Sequence, residues 1–227
     1  MATGTIVKLS KRTQNVLKNF ATINKSIIVE SGSKVRTLSI NKNIYASAKI
    51  TEDFPRQIPI YDLGVFLSGL SLFENPVFDF THTQKLVTRD EATNATTTFF
   101  YDDASIITPT LPTKEIEMSS VDVSFDLRAE TLSNILRAAA VYKVKDLCVY
   151  NKGDKVHLMV CDKKNETSNT YDVPVGKNVY DTEFCFCFKT ENIVLLPGDY
   201  KVDISSKGIS RFTSSGNGVQ YFIALEL

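Results

Sequence analysis

The sequence predicts an α+β fold of two similar domains, each made of antiparallel sheets and two helices. Three observations carry this. Most of the 227 residues read as short runs of period-two alternation separated by turn residues. Only four segments carry helical period. The order helix, hairpins, strand, helix, strands is written twice, with the long helices offset by 115 residues when Leu17 is set on Leu132.

The first helix is expected over 11–22, capped by Ser10, with Val16, Leu17, Phe20 and Ala21 on its apolar face. Its other face holds Lys11, Arg12, Asn15, Lys18, Asn19 and Thr22, and no acid. A helix dipole favours acids in the first turn by about 0.3–1 kcal/mol, yet Lys11 and Arg12 stand there. An external polyanion would compensate for that arrangement. Strands follow at 26–30, 34–39 and 44–50, then at 58–61, before a second helix over 63–71 capped by Asp62, with Leu63, Phe66, Leu67 and Leu70 inward.

The prolines and polar residues of 103–120 mark a connector between domains at 1–102 and 121–227, with Asp102-Asp103 read as its solvated start. The second copy opens with a helix over 129–141, whose Leu132, Ile135, Leu136 and Ala139 are spaced i, i+3, i+4, i+7 and whose open face carries Glu130, Ser133, Asn134 and Arg137. In register with the first helix, Asn19 falls on Asn134 and Phe20 on Ile135. Strands are expected at 147–150, 155–161, 167–173 and 184–188, followed by a short helix over 191–196 that Thr190 caps and Pro197-Gly198 stops.

Twenty-six basic and 26 acidic residues cancel, which excludes a disordered polyelectrolyte and a uniformly cationic coat. The distribution is uneven. Residues 1–50 carry nine Lys or Arg against Glu30 alone, while the other 177 carry 17 basic and 25 acidic residues. A basic surface on an otherwise acidic protein is a footprint of nucleic-acid binding. No secretory core or membrane-length apolar run is visible, so a soluble, cytoplasmic protein is expected.

Catalytic and metal chemistry need clustered groups, and none is legible. His82 and His157 stand apart in segments read as strands, and there is no phosphate loop, dinucleotide fingerprint or nucleophile elbow. Cys148, Cys161, Cys185 and Cys187 show no Cys-x-x-Cys spacing, so free buried thiols are expected in place of disulfides or zinc. The reading is a non-enzyme without cofactor or metal.

Lys8-Leu-Ser-Lys, Leu17-Lys-Asn-Phe-Ala-Thr-Ile-Asn24, Ile60-Tyr-Asp-Leu with Phe66-Leu and Leu70-Ser-Leu, Leu196-Pro-Gly-Asp-Tyr200, and Tyr221 with Ile223-Ala-Leu-Glu226 together resemble the DNA polymerase sliding clamps of T-even-type bacteriophages. That resemblance implies a homotrimeric head-to-tail ring of six domains, with helices lining a hole that double-stranded DNA threads. It also implies two partners, the replicative DNA polymerase and an ATP-dependent clamp loader, and residence in the host-cell cytoplasm. Lys11, Arg12, Asn15, Lys18 and Arg137 would then face DNA in loose, sequence-independent contacts, because base-specific contacts would stop sliding. Leu111, Leu225 and Leu227 would receive partner side chains near the connector and the last strand. Thr98, Phe99, Phe100 and Tyr101 would pair with Thr170 and Tyr171 of the next subunit. Two other classes compete with this reading: a structural β-sandwich such as a virion or interaction protein, and a single-strand binder, which the basic segments disfavour because they lack interleaved aromatics.

Overall fold

The computed structural model describes residues 5–226. The chain forms two compact units that divide between Thr113 and Lys114, inside the 103–120 segment.

In the first unit the elements run β1 (Ile6–Lys8), α1 (Lys11–Ile23), β2 (Ile27–Val29), β3 (Gly32–Leu38), β4 (Ile44–Phe54), β5 (Ile58–Ile60), α2 (Leu63–Leu70), β6 (Pro76–Asp79), β7 (Lys85–Asp90) and β8 (Thr96–Phe100). In the second they run β9 (Val123–Leu127), α3 (Ala129–Tyr142), β10 (Asp146–Lys152), β11 (Lys155–Cys161), β12 (Tyr171–Lys177), β13 (Cys185–Lys189), a 3-10 turn (Thr190–Asn192), β14 (Tyr200–Ser205), β15 (Ile209–Ser214) and β16 (Val219–Ala224).

The repeat is visible in the pairing. One sheet is ordered β1-β6-β7-β8, and its counterpart is β9-β14-β15-β16, antiparallel throughout. The other sheet is continuous in the second unit, β12-β11-β10-β13, whereas in the first β2 pairs with β5 and β3 with β4 as separate ladders. A three-residue β2 offers too few partners to bridge them. Among the described strands, β8 and β12 each end a sheet and present an unpaired edge.

The helix caps form as their residues dictate. The Ser10 hydroxyl accepts the Thr13 N–H of α1, and the Asp62 carboxylate accepts the Val65 N–H of α2. The loop of the β10–β11 hairpin shrinks to Gly153-Asp154, and Gly153 takes the left-handed φ of 59° that the tight turn requires. Phe20, Phe54, Phe78, Phe80 and Leu17 are fully buried in the first unit, and Tyr200, Tyr221 and Phe188 in the second. Fully burying one such side chain is worth about 1.5–3 kcal/mol.

Several expectations are corrected. The helix expected over 191–196 is only the 3-10 turn, because the Leu196 N–H donates to the Tyr221 hydroxyl and the Leu196 carbonyl accepts from the Tyr200 hydroxyl. With both groups engaged by buried tyrosines, the segment stays irregular after the 3-10 turn. Among its described residues the second unit thus has one α-helix where two were expected. The strand expected over 167–173 begins later, at Tyr171, since the Asn165 side chain accepts from the Thr167 N–H and hydroxyl and folds a local turn. Thr170 lies just outside it. His82 sits in a bend and not in a strand. His157, expected to stand alone, holds Asp172 at 2.9 Å, and that carboxylate also accepts from the Tyr150 hydroxyl.

The cysteines depart most from expectation. Cys148 and Cys187 face each other across β10 and β13 and are joined as a disulfide, leaving Cys161 buried and Cys185 exposed as free thiols. Residues 39 apart meet through strand register, which no local spacing rule detects.

Candidate nucleic-acid interface

Helix α1 is amphipathic because Val16, Leu17, Phe20 and Ile23 recur at helical spacing and are buried against α2, β3 and β4. Thr13 and Gln14 are also buried, which extends the inward face beyond its expected apolar residues. That orientation leaves Lys11, Asn15, Lys18 and Thr22 exposed, with Arg12 half-buried.

The α1 cations are held differently. The Lys11 ammonium donates to the Glu74 carbonyl at 2.8 Å, and the Arg12 guanidinium to the Lys49 carbonyl at 2.7 Å. Lys18 has no hydrogen-bond or ion-pair partner among the described residues. Elsewhere in the basic N-terminal third, neighbours neutralise the charge: Lys8 pairs with Glu91, Lys25 with Asp62 and Arg36 with Glu30. The remaining excess is shared between the α1 face and exposed Lys42 and Lys49.

The N-terminus of α1 is not left without an anion. The buried Glu52 carboxylate of β4 accepts the Ser10 N–H at 2.6 Å and the Thr13 hydroxyl at 2.5 Å. Burial pushes the Glu52 carboxyl up, but the hydrogen bonds from Thr13 and Ser10 outweigh it and hold it below its usual range. An acid 39 residues away thus occupies the position that first-turn acids usually take. This internal carboxylate supplies part of the compensation that the sequence assigns wholly to an external polyanion.

On α3, Leu132, Ile135 and Ala139 are buried, while Glu130, Ser133, Arg137, Ala140 and Val141 are exposed. The Arg137 guanidinium donates to the Asn134 side chain at 2.8 Å. Its N-terminus too meets a distant carboxylate, as the Ala129 N–H donates to Asp199 at 2.7 Å.

The residues expected at partner and subunit contacts fall in both units. Leu111 lines a groove of about 410 Å³ in the first unit, between β2, β3 and the start of the connector. The connector is fastened there: the buried Asn24 amide donates to Leu38 and Thr108 carbonyls, and Arg36 donates to the Pro112 carbonyl at 3.0 Å. Buried Ile107 adds an apolar anchor, so this stretch is packed where a solvated linker was expected. The sequence offered one signal for this groove, the apolar Ile106-Ile107 and Leu111 among polar neighbours. Leu225 lies in the second unit, where its N–H donates to the Gly208 carbonyl. Leu227 falls outside the described residues.

Thr98, Phe99 and Phe100 occupy the free edge of β8. Phe99 packs edge-on against Phe66 at 5.0 Å, while Phe100 is 67% exposed. Tyr101 follows, its N–H donating to the Gln84 carbonyl and its buried hydroxyl without a hydrogen-bond partner among the described residues. Tyr171 begins the free edge of β12.

Residues 124–227 match the family described as gp45 sliding clamp, C terminal, and residues 8–108 that described as DNA polymerase processivity factor. The chain is 39% identical to the sliding clamp of Vibrio phage KVP40, over 97% of this chain and 99% of that one. It is 30% identical to the sliding clamp of Enterobacteria phage T4, over 97% of each. Among solved structures, the proliferating cellular nuclear antigen of Entamoeba histolytica superposes with a TM-score of 0.70 at 11% identity, over 100% of both chains. The PCNA2–PCNA3 complex of Sulfolobus tokodaii gives 0.64 at 12% identity, over 98% of this chain and 99% of that one. At those identities the likeness to the solved structures is one of fold.

Proposed function

The chain belongs to the gp45 sliding-clamp family of DNA polymerase processivity factors, and from that premise we propose that three copies close head to tail around duplex DNA and tether the replicative polymerase without catalysis. The observation that carries this reading is the α1 face: Lys11, Asn15 and Lys18 are exposed on a helix with no acid in its first turn. Such a face meets phosphates through counterion release and reads no sequence, as sliding requires. Arg12 and, on α3, Arg137 extend the same contact. An ATP-dependent clamp loader opens the ring, and the work is done on DNA in the host cytoplasm. Among the described residues no helix is long and apolar enough to cross a membrane.

Ring closure is assigned to the two free edges, with Thr98, Phe99, Phe100 and Tyr101 of one subunit against Thr170 and Tyr171 of the next. The exposed Phe100 supports this, since a large apolar side chain on an open edge is a liability unless something covers it. The groove beside Leu111, with Leu225 and Leu227, is assigned to apolar side chains of the polymerase; Leu111→Asp should weaken polymerase capture and leave oligomer mass unchanged.

The test of encirclement is topological. Loaded protein should stay on a closed circular duplex and be lost when the circle is cut, whereas a protein that merely binds along DNA is indifferent to cutting. Light scattering should give a trimer at micromolar concentration, and Phe100→Pro should shift it towards monomer. A wild-type chain that stays monomeric at every concentration would overturn the ring.

A further inference from the structure

The paired strands β10 and β13 carry a sulfur cluster for which the clamp function has no use. Cys148 and Cys187 are a cross-strand pair, and Cys185, two residues before Cys187, projects from the same face of β13. Their three sulfurs lie within 4.8 Å of one another, with Cys185 and Cys187 Sγ atoms 3.9 Å apart. Cys148 and Cys187 are buried, while Cys185 opens to solvent and gives the cluster an access route.

A zinc ion bound to thiolates has Zn–S distances of about 2.3 Å, so sulfurs at the corners of its tetrahedron stand about 3.8 Å apart. The Cys185–Cys187 separation already matches that edge. Two paired strands fix all three Cβ positions, so little ordering remains for a metal to impose. No carboxylate or imidazole belongs to the set, and thiolates alone select soft or borderline cations over Mg²⁺ or Ca²⁺.

We propose that Cys148, Cys185 and Cys187 form a redox-gated site for one thiophilic d¹⁰ cation of the Zn²⁺ class, bound in the reduced protein and excluded by the Cys148–Cys187 disulfide in the oxidised one. A dithiol reductant gives two electrons and two protons to the disulfide and is itself closed to a disulfide. Binding then displaces the protons of the three thiols into water, and the fourth coordination position takes a solvent molecule. In the reverse direction the cation leaves, the thiols are reprotonated, and a disulfide oxidant accepts two electrons and two protons as the Cys148–Cys187 bond re-forms.

The test uses the full chain, reduced with a phosphine and dialysed against Zn²⁺ with a weak chelator. Reduced wild type should retain about one Zn²⁺ per chain. Zn²⁺ should shield three of the four cysteines from alkylation, and Co²⁺ in its place should show thiolate-to-metal charge-transfer absorption. Diamide-oxidised protein should retain none. Cys185→Ser, at an exposed position that leaves the core intact, should lose the metal while circular dichroism is unchanged. Cys161→Ser, which removes the neighbouring buried thiol, should keep it. Metal-free reduced wild type, wild-type retention by Cys185→Ser, or loss in Cys161→Ser as complete as in Cys185→Ser would each overturn the assignment.

Discussion

Helices α1 and α3 occupy the same place in two copies of one strand order and bury comparable stripes, Val16, Leu17 and Phe20 against Leu132, Ile135 and Ala139. Their solvent faces share little. Helix α1 has no first-turn acid and exposes Lys11 and Lys18, whereas α3 begins with Glu130 and exposes Ser133, Arg137, Ala140 and Val141. Packing constrains the inward spacing because a core tolerates neither voids nor polar intrusions. The outward face is free of that constraint, so its charge can differ between the two copies. Both N-termini nonetheless receive a distant carboxylate, Glu52 for α1 and Asp199 for α3, so helix polarity is met by tertiary contacts in each copy.

The largest expected effect comes from inverting the α1 face. Lys11→Glu, Arg12→Glu and Lys18→Glu together change the charge by six units per chain. Loader-dependent processivity on a primed circle should be abolished while oligomer mass is unchanged. Losing the Lys11 and Arg12 contacts to the Glu74 and Lys49 carbonyls should lower stability by about 1 kcal/mol each. The matched change on α3, Arg137→Glu, should shorten products far less. Equal effects would mean that the two faces are equivalent and that the α1 charge is incidental.

Next in size are the two carboxylates. Glu52→Ala strands the Ser10 N–H and Thr13 hydroxyl at a buried site and should cost about 2–3 kcal/mol in urea unfolding. Asp199→Ala removes one exposed contact to the Ala129 N–H and should cost about 1 kcal/mol. The Glu52 effect should also depend on pH. Its folded pKa lies below the unfolded value, so its stabilisation is complete above about pH 4.3 and is lost as pH falls through the folded value. The stability gap between wild type and Glu52→Ala should therefore narrow under acid. A gap that widens below pH 4.3 would reverse the assigned sign.

The smallest change is Lys18→Ala. As a side chain with no partner among the described residues, it should alter stability by less than about 0.5 kcal/mol. Its loss should instead appear as a weaker dependence of DNA retention on salt, read at two ionic strengths. An equal salt response from Arg137→Ala would again erase the contrast between the helices.

Some of this was legible without coordinates. Ser10, Asp62 and the 3.6-residue period of 11–22 act over one or two turns, so α1 and α2 could be placed from neighbouring residues alone. The repeat was legible for the same reason, as each copy carries its own local signals. The 191–196 helix failed because Tyr200 and Tyr221 take the Leu196 N–H and carbonyl, a competition set by packing. In the candidate site, the exposed cations of α1 could be read from the wheel and Leu111 stood out as apolar among polar neighbours, but the role of Glu52 could not be read.

By itself, then, the amino-acid order determined where helices start, which faces turn inward, that one fold is written twice and that the N-terminal third is basic. Caps, periodicity and composition need no knowledge of distant residues. Only the tertiary structure decided that Glu52 reaches Thr13, that Cys148 meets Cys187, and that β8 and β12 remain as free edges. Those outcomes follow from strand register. A shift of one residue turns every side chain to the opposite face, and the register is set by how both sheets bury their apolar sides together.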